Sequence, residues 1–405
     1  MPFDMLAGVK VIEVSMYAFA PSCAAVLADW GADVIKVVPP NQADPMMSRT
    51  VIAGLPAKDV GVSFMWEQLN RGKRCIGLDV STAEGRDVLL RLAAEADIFI
   101  TNLLPGARAR FGIDVEDLQA ANPGIIYARA SGHGNRGPER NEGGYDHTDF
   151  WARTGLAHAA SMVSNEFVPQ PGPAMGDTAS GAFLAGGIAA ALFRRERTGQ
   201  GAIVDVSLLS AGSWVFAPAI IASQLYGVDT IPRNRHLDLP NPLVACYTTR
   251  DQRQVYLAGI RTDKGFGHFA GIVGCTHLLD DPRFATGEAR LANARACIQE
   301  LDKVFAQRDL AEWIEILKQV DTPWTLVQTA AEAATDAQVT ANGYLMHVSN
   351  DAVSYPLVAS PAQFDEALPS TARAPQHGEH TELVLMEAGL EWEEVEKLKS
   401  AGVIN

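Results

Sequence analysis

The sequence predicts an α/β protein with a doubly wound, mostly parallel sheet in a large domain and a smaller α+β domain beside it. Three observations predict this fold class. Short β-rich segments alternate with helical segments over residues 8–130. Hydrophobic residues make up 47% and charged residues 20% of the chain, as in an ordinary globular protein. The 405 residues exceed the size of a single core, so we expect two domains.

The alternating elements can be placed individually. Pro21 suits the first turn of a helix over residues 21–30, and Gly31 suits the position just past its end. Ser81 and Glu84 have the spacing of a capping box, which predicts a helix that runs to about residue 94. Strands are predicted over residues 9–14, 34–38, 75–80, 98–101 and 125–130.

The composition changes after residue 226, and this change predicts the domain boundaries. A proline-rich, charged segment over residues 227–250 is typical of a linker. Residues 251–325 then form the small domain, with a strand at 255–260 and helices at 291–307 and 310–320. Residues 326–405 return to the large domain formed by residues 1–226 and end in an amphipathic helix at 392–401.

Charge and cysteine usage exclude several classes of protein. A net charge of -15 disfavours nucleic acid and anionic membranes as partners. The five cysteines are scattered without a CxxC pair, which indicates reduced thiols in the cytoplasm and neither a disulfide framework nor a metal site. Residues 1–14 lack the pattern of a signal peptide. The apolar runs at 182–193 and 213–226 are shorter than the roughly 20 residues of a membrane span, so we expect core helices.

A doubly wound sheet raises the possibility of a dinucleotide cofactor. The turn after the first strand, residues 15–20, reads SMYAFA and lacks the G-x-G-x-x-G pattern that lets a pyrophosphate approach the backbone. We therefore expect neither NAD nor FAD, and no permanently bound cofactor.

The most informative segment is residues 175–181, MGDTASG, which precedes a long apolar run. Asp177 lies between Gly176 and Thr178 where a helix is predicted to begin. Asp beside Thr is typical of a helix N-cap, and the glycines leave the backbone open to a bulky partner. The residues alone fit two interpretations: a structural cap, or a nucleophilic carboxylate that attacks an activated acyl group.

The block from Gly176 to Ala211, with its small-residue helix, Arg-rich turn, TGQG and the strand IVDVS, resembles the signature of the class III CoA-transferases. Residues 6–13, 31–37, 70–74 and 101–106 also resemble that family, most closely its aryl-, 2-hydroxy-acid and benzylsuccinate-type branch. The resemblance implies a Rossmann-like large domain, an interlocked homodimer, and acyl-CoA and carboxylic acids as substrates. It also implies that Asp177 forms a mixed anhydride, with N–H groups at residues 176–178 stabilising the oxyanion.

The same resemblance implies which residues contact coenzyme A. Each has a plainer interpretation, because basic turns are usually solvated and arginines near a helix start are often exposed. Arg108, two residues before Arg110, is left open. The expected contacts are Arg71, Lys73 and Arg74 for phosphates, Asn102 and Leu103 at a strand end, Arg110 and Phe111 for the nucleotide end, and Tyr145 in the acyl channel.

The expected substrate pocket comprises Ala18, Phe19, Gly144 and Asp146, and Phe19, Phe150 and Trp151 fit either an apolar pocket or the core. Tyr145 stands where racemase relatives carry a catalytic histidine, and His147 is two positions away. A phenol with a pKa near 10 is a poor base at neutral pH, which favours transfer over racemisation.

Departures from the formyl-CoA branch at Ala18 and Pro39 disfavour oxalate or formate as substrates. The alternatives are an acyl-CoA racemase or an intramolecular CoA-transfer isomerase on the same fold, and a non-catalytic CoA-binding subunit of a hetero-oligomeric transferase.

Overall fold

The structure, a computed structural model, describes residues 3–47, 60–164, 166–259, 262–350 and 353–405. The chain forms two compact units. The first unit comprises Met1–Ser161, Glu166–Thr230 and Ala337–Asn405, and the second comprises Met162–Asn165 and Ile231–Asp336.

The first unit is built on a six-stranded parallel sheet, as the alternating sequence pattern predicts. Its strands are β1 (Lys10–Val14), β2 (Asp33–Val38), β3 (Arg74–Gly77), β4 (Ile98–Thr101), β5 (Ile126–Ser131) and β6 (Ala202–Ser207). Their order in space is β3-β2-β1-β4-β5-β6. The chain therefore reverses its direction of winding between β1 and β4, and in such sheets ligands bind beyond the carboxyl ends of the strands at this point.

Nine helices and a π-helical turn, Asp146–Ala152, follow these strands within the described part of the first unit up to residue 230. Thr82 caps the helix after β3, because its hydroxyl accepts from the N–H of Gly85 at 3.0 Å; the predicted cap at Ser81 is therefore wrong. The helices are α1 (Phe19–Asp29), α2 (Phe64–Asn70), α3 (Ala83–Ala94), α4 (Pro105–Phe111), α5 (Val115–Ala121), α6 (Leu156–Ser161), α7 (Met175–Thr198), α8 (Leu208–Val215) and α9 (Ala217–Tyr226).

Both faces of the parallel sheet are covered, as is usual for such sheets. Successive residues of β1 point to opposite faces, so Val11 belongs to one core cluster and Ile12 to the other. The first cluster includes α1 and α7, with Leu184 and Ile188 fully buried. The second includes residues of α3 and of the C-terminal segment.

Helix α7 packs closely on α1. A Cβ atom at Gly181 would lie 2.0 Å from the Ser22 hydroxyl and 2.8 Å from the Cys23 nitrogen, so only glycine fits there. At 24 residues, α7 is longer than its apolar run suggests and is long and apolar enough to cross a membrane, as is the bent pair α8–α9. Its packing against α1 is that of the predicted core helix.

The second unit contains a three-stranded antiparallel sheet and five α-helices among its described residues. Residues 231–250, predicted as part of a linker, belong to this unit because Leu243, Ala245 and Tyr247 are buried in its core with Phe305 and Trp313. The elements are β7 (Ala245–Thr248), β8 (Gln254–Leu257), α10 (Asp263–Val273), α11 (Gly287–Ala292), α12 (Ala294–Phe305), α13 (Leu310–Leu317), β9 (Trp324–Leu326) and α14 (Ala330–Ala334).

The C-terminal segment rejoins the first unit at Ala337, later than the predicted residue 326, because β9 pairs with β8 inside the second unit. Val384 and Val395 add to the core cluster on the α3 side of the large sheet. The elements are α15 (Ala337–Ala341), β10 (Leu345–Ser349), β11 (Ser354–Val358), α16 (Thr381–Glu387) and α17 (Trp392–Ser400), with β10 and β11 forming an antiparallel pair.

Candidate active site

A cavity of about 250 Å³ lies at the carboxyl ends of β1 and β4. The Asn102 side chain joins the loops that follow these strands, because it accepts from the Met16 N–H at 3.1 Å and donates to the Met16 carbonyl at 2.6 Å. Seven of the residues predicted from the sequence line this one cavity: Ala18, Phe19, Asn102, Leu103, Gly144, Tyr145 and Asp177.

Asp177 is the third residue of α7 and is not its N-cap, so the capping interpretation of this residue is wrong. The N-cap is Ala174, which has a left-handed backbone (φ 57°) and makes no side-chain cap. The carboxylate of Asp146 takes that role from another segment. It accepts from the N–H of Gly176 at 3.0 Å. Asp177 therefore does not cap the helix, and it lines the cavity.

Gly176 is required by this cap and does not open the backbone to a ligand. A Cβ atom at residue 176 would lie 2.2 Å from both Asp146 Oδ1 and the Phe150 ring. The sequence interpretation of Gly176 as an approach route is therefore wrong, because Asp146 and Phe150 occupy that space.

Two of the three N–H groups expected to form an oxyanion hole at residues 176–178 are already engaged. That of Gly176 donates to Asp146 at 3.0 Å, and that of Thr178 donates to the Ala174 carbonyl at 2.9 Å. A second helix start faces the same cavity: Ala18, the N-cap of α1, makes no side-chain cap, and Ala18 and Phe19 both line the cavity.

Burial and a neighbouring charge change the acidity of Asp177. Loss of solvation is the larger cause and the Asp146 carboxylate the smaller, and together they raise the pKa of Asp177 to about 7. Burial also raises the pKa of Asp146, against the hydrogen bonds that it accepts from Gln170 and Gly176. A poorly solvated carboxylate with a raised pKa is a stronger nucleophile than an ordinary aspartate, and such shifts are typical of functional sites.

Gln170 is a site residue that the sequence does not reveal. Its amide donates to Asp146 Oδ2 at 2.6 Å and to the Gly172 carbonyl at 2.9 Å, and its side chain is buried. Gln170 therefore holds the residue that caps α7. No motif marks it, because its role depends on a contact with a segment 24 positions away.

The predicted phosphate-binding cluster does not line this cavity. Arg71 is buried and donates to both carboxylate oxygens of Asp29, at 3.0 and 2.7 Å. Lys73 is buried and pairs with Glu13 at 2.7 Å. Arg74, half-buried, donates twice to Asp33 and once to Glu387. Carboxylates of the same chain thus engage all three cations in the structure.

Two further predicted contacts lie outside the cavity lining. Arg110 is exposed and its guanidinium lies 4.8 Å from the centre of the adjacent Phe111 ring. Arg108, which the sequence leaves open, does line the cavity, but it pairs with Asp114 at 3.2 Å and donates to the Leu103 carbonyl.

Phe150 and Trp151, which fitted either an apolar pocket or the core, are buried outside the cavity lining. Phe150 belongs to the core cluster that contains α1 and α7. Trp151 donates from its indole nitrogen to the Val168 carbonyl.

Comparison with known proteins shows the family of this chain. The model of CoA-transferase family III matches residues 6–381. The chain is 31% identical to (R)-2-hydroxy-4-methylpentanoate CoA-transferase of Clostridioides difficile, covering 99% of both chains. It is 31% identical to cinnamoyl-CoA:phenyllactate CoA-transferase of Clostridium sporogenes, covering 98% of this chain and 96% of the relative.

A solved structure extends the likeness to the fold. A CAIB/BAIF family protein from Brucella suis superposes with a TM-score of 0.83 at 28% identity, covering 96% of this chain and 100% of the other. The chain belongs to CoA-transferase family III and is a CoA-transferase.

Proposed function

We propose that the protein transfers coenzyme A from an acyl-CoA donor to a free aryl, hydroxy or dicarboxylic acid through a mixed anhydride on Asp177. The observation that carries this proposal is the position of Asp177. Its carboxylate faces a cavity at the switch point of the sheet, with its pKa raised to about 7. The loss of solvation makes the ionised carboxylate a better nucleophile, and a pKa of about 7 leaves a substantial fraction of it ionised at neutral pH.

The reaction proceeds by exchange at acyl carbons. An Asp177 carboxylate oxygen attacks the thioester carbonyl of the donor, the C–S bond breaks, and CoA leaves as a thiolate. The thiolate attacks the aspartyl carbonyl, which releases the donor acid and leaves an aspartyl thioester. The acceptor carboxylate attacks that thioester and expels the thiolate again. Attack of the thiolate on the acceptor acyl carbon then yields the new acyl-CoA and restores Asp177.

Each attack creates an oxyanion, which needs nearby donors. Because Asp146 and Ala174 engage the N–H groups of Gly176 and Thr178, we assign this role to the first turn of α1. Its N-cap, Ala18, and its first residue, Phe19, line the cavity that Asp177 faces. The dipole of α1 adds positive potential at the same end.

The lining of the same cavity supports an assignment of the residues that contact coenzyme A. We assign Asn102, Leu103 and Tyr145 to the thioester end, since they line it. Arg110 and Phe111 lie outside the lining, on the exposed end of α4, where they suit the nucleotide end. We assign a structural role to Arg71, Lys73 and Arg74, because phosphate binding would require them to leave existing ion pairs.

The substrate class rests on the lining and on the relatives. Phe19, Leu103, Leu104 and Leu208 give the cavity an apolar wall. The two relatives described above act, by their names, on a branched 2-hydroxy acid and on cinnamoyl and phenyllactate groups. Both observations favour an acid with an apolar side chain.

We also propose a homodimer in the cytoplasm. Helices α8 and α9 expose Trp214, Ile221, Leu225 and Tyr226, an apolar surface larger than isolated side chains provide. Light scattering coupled to gel filtration tests the dimer, and a monomer at micromolar concentration would contradict it. The cytoplasmic location is supported by five unpaired cysteines, four of them buried.

The experiment for the activity is a donor–acceptor matrix with mass spectrometry of the CoA products. We expect a new acyl-CoA only when a second acid is present. Hydroxylamine added to enzyme and donor alone should then label Asp177, with Asp146 and Asp149 as internal controls. Exchange of the α-proton in deuterated buffer without a second acid would instead indicate a racemase, and a label on either control would move the nucleophile.

A further inference from the structure

Two tyrosine rings lie in the lining of the Asp177 cavity. Tyr17 follows β1, and Tyr145 precedes the π-helical turn. Their ring centroids are 6.1 Å apart and their planes meet at 88°, the edge-to-face arrangement that aromatic pairs prefer. The side chains are 42% and 62% exposed, so the pair presents aromatic surface at the opening of the cavity.

The backbone of Tyr17 has an unusual conformation. Its φ of 67° lies in the left-handed region, which bulky residues rarely adopt. The neighbouring Met16 is fixed at both its N–H and its carbonyl by Asn102, which holds the loop in this conformation. Backbone strain that the surroundings impose in this way is concentrated at ligand sites.

The cavity is large enough for only one end of an acyl-CoA. Its volume of about 250 Å³ lies below the range, roughly 300–1,000 Å³, of pockets that enclose a drug-sized molecule. When Asp177 contacts the thioester carbon, the acyl side chain and the cysteamine end of pantetheine are the two parts of the substrate nearest to it. The adenine is separated from this point by the whole pantetheine arm. Of the two nearer parts, only the acyl side chain can carry a planar apolar group, so we assign the rings to it.

The remaining lining favours a neutral side chain. Phe19, Leu104 and Leu208 are apolar, and burying an unpaired second carboxylate among them carries a large desolvation cost. Apart from Asp177, the charged lining residues add no net charge to the wall, because Arg108 pairs with Asp114 and because Arg140 and Glu142, in the segment before Tyr145, are of opposite sign.

We propose that Tyr17 and Tyr145 form an aromatic clamp that selects acyl groups with a flat aryl or conjugated side chain over branched alkyl and dicarboxylic groups. This inference rests on the proposed function and adds the substrate class to it. The physical basis is that planar π-systems stack on, or meet edge-to-face, the rings that the pair presents, whereas a branched alkyl chain gains only apolar contact.

The test compares kcat/KM for cinnamoyl-CoA, 4-methylpentanoyl-CoA and succinyl-CoA with one common acceptor. We expect Tyr17→Ala to lower the ratio of cinnamoyl-CoA to 4-methylpentanoyl-CoA by about tenfold or more, the scale of discrimination between related side chains in an apolar pocket. Tyr17→Phe keeps the ring and should keep the ratio. Tyr344→Ala is the matched control, since Tyr344 is 41% exposed and lies outside the cavity lining.

Two further measurements keep the inference testable. Tyr17→Gly removes the ring and relieves the strained backbone, so it should fold at least as well as Tyr17→Ala and show the same altered ratio. Calorimetric binding of S-(3-phenylpropyl)-CoA and S-hexyl-CoA requires no turnover. Wild type should prefer the aryl ligand, and Tyr17→Ala should lose that preference.

The outcomes separate the two proposals. Absence of transfer with every donor and acceptor would overturn the proposed function. The calorimetric preference for the aryl ligand would still show whether the two tyrosines select aryl groups. An equal loss of kcat/KM for all three donors, or an aryl preference in binding that Tyr17→Ala leaves unchanged, would overturn the clamp.

Discussion

At the scale of residues, the sequence could mark Asp177 and place Asp146 near it, but it could not show the contacts through which Asp146 and Gln170 act. Asp177 belongs to a contiguous motif, so its neighbours in sequence reveal it. Asp146 caps α7 from 30 positions away, and Gln170 holds Asp146 in turn. Such contacts exist only in the folded chain. For the same reason, the sequence predicts Lys73 as a phosphate ligand, although its side chain is buried against Glu13.

Replacing Asp177 separates catalysis from stability. Asp177→Asn should abolish transfer because the nucleophile is lost. The folded pKa of about 7 exceeds the ordinary 3.8, so the folded protein binds more protons between these values and loses stability as pH rises through them. The variant avoids this loss. Its free energy of unfolding should exceed that of wild type at pH 8 by no more than about 4 kcal/mol and should equal it at pH 3, since each pKa unit corresponds to ~1.4 kcal/mol.

Thermal melts over this pH interval check the stability effect, and the hydroxylamine assay checks the chemistry. A melting temperature below that of wild type at pH 8, or transfer activity within about tenfold of wild type (~1.4 kcal/mol in barrier), would contradict the environment that we assign to Asp177.

Asp146 should control the pH dependence of transfer. Asp146→Asn removes the second carboxylate that raises the pKa of Asp177, so the ascending limb of kcat/KM should move to lower pH than in wild type. The new amide can still accept from the Gly176 N–H, so the helix cap should weaken by only about 1 kcal/mol. Asp149→Asn is not a neutral control, because Asp149 pairs with His133. Glu116→Gln, in the exposed first turn of α5, serves instead. An unshifted limb would show that burial alone sets the pKa.

At the scale of elements, the sequence predicts most of the first unit because its signals are local. Alternating apolar segments placed β4 at its observed bounds and the other four predicted strands of the large sheet within three residues of theirs. The start of α1 lies two residues before the predicted Pro21, and α7 begins two residues before Asp177. Helix ends depend on caps, and the cap of α7 comes from another part of the chain. Whether a glycine in this helix can be replaced likewise depends on the residues packed against it.

Two glycines of α7 test this packing against each other. Gly181→Ala places a methyl group against Ser22 and Cys23 of α1 and should destabilise the protein by about 1–3 kcal/mol, as overpacking does. Gly186→Ala meets nothing within 4 Å and should be neutral or stabilising by up to about 1 kcal/mol, because alanine favours the helix. Denaturant unfolding of both variants measures the difference. Equal effects would contradict the close contact of α1 with α7.

At the scale of the whole molecule, the sequence predicts two domains but not their boundaries. Prolines and charges between residues 227 and 250 resemble a linker, yet the apolar side chains interspersed among them complete the core of the second unit. Composition describes the segment as a whole, whereas the fold buries particular residues of it, such as Leu243, Ala245 and Tyr247. The β3 half of the large sheet contains a second feature that composition conceals, a buried network of charges.

This network joins three strands of the sheet. Glu13 of β1 pairs with Lys36 of β2 at 3.0 Å and with Lys73, which precedes β3, at 2.7 Å; all three side chains are fully buried. Lys36 also pairs with Asp44 at 3.3 Å. These contacts lower the pKa of Glu13 to about 2 despite its burial. Because that value lies below the ordinary 4.5, the Glu13 carboxylate contributes stability above pH 4.5, and this contribution is lost as pH falls towards 2.

Removing one partner should therefore affect the fold far more than ligand binding. Lys73→Met leaves Glu13 with a single cation and should destabilise the protein by about 3–5 kcal/mol, the usual cost of breaking a buried pair. Lys10→Met, which breaks the exposed pair with Glu95, should cost less than about 1 kcal/mol. Denaturant unfolding measures both, and calorimetry at a temperature where both variants are folded measures CoA binding. A Lys73 variant of wild-type stability that binds CoA at least tenfold more weakly (~1.4 kcal/mol) would return Lys73 to the phosphate-binding role that its sequence suggests.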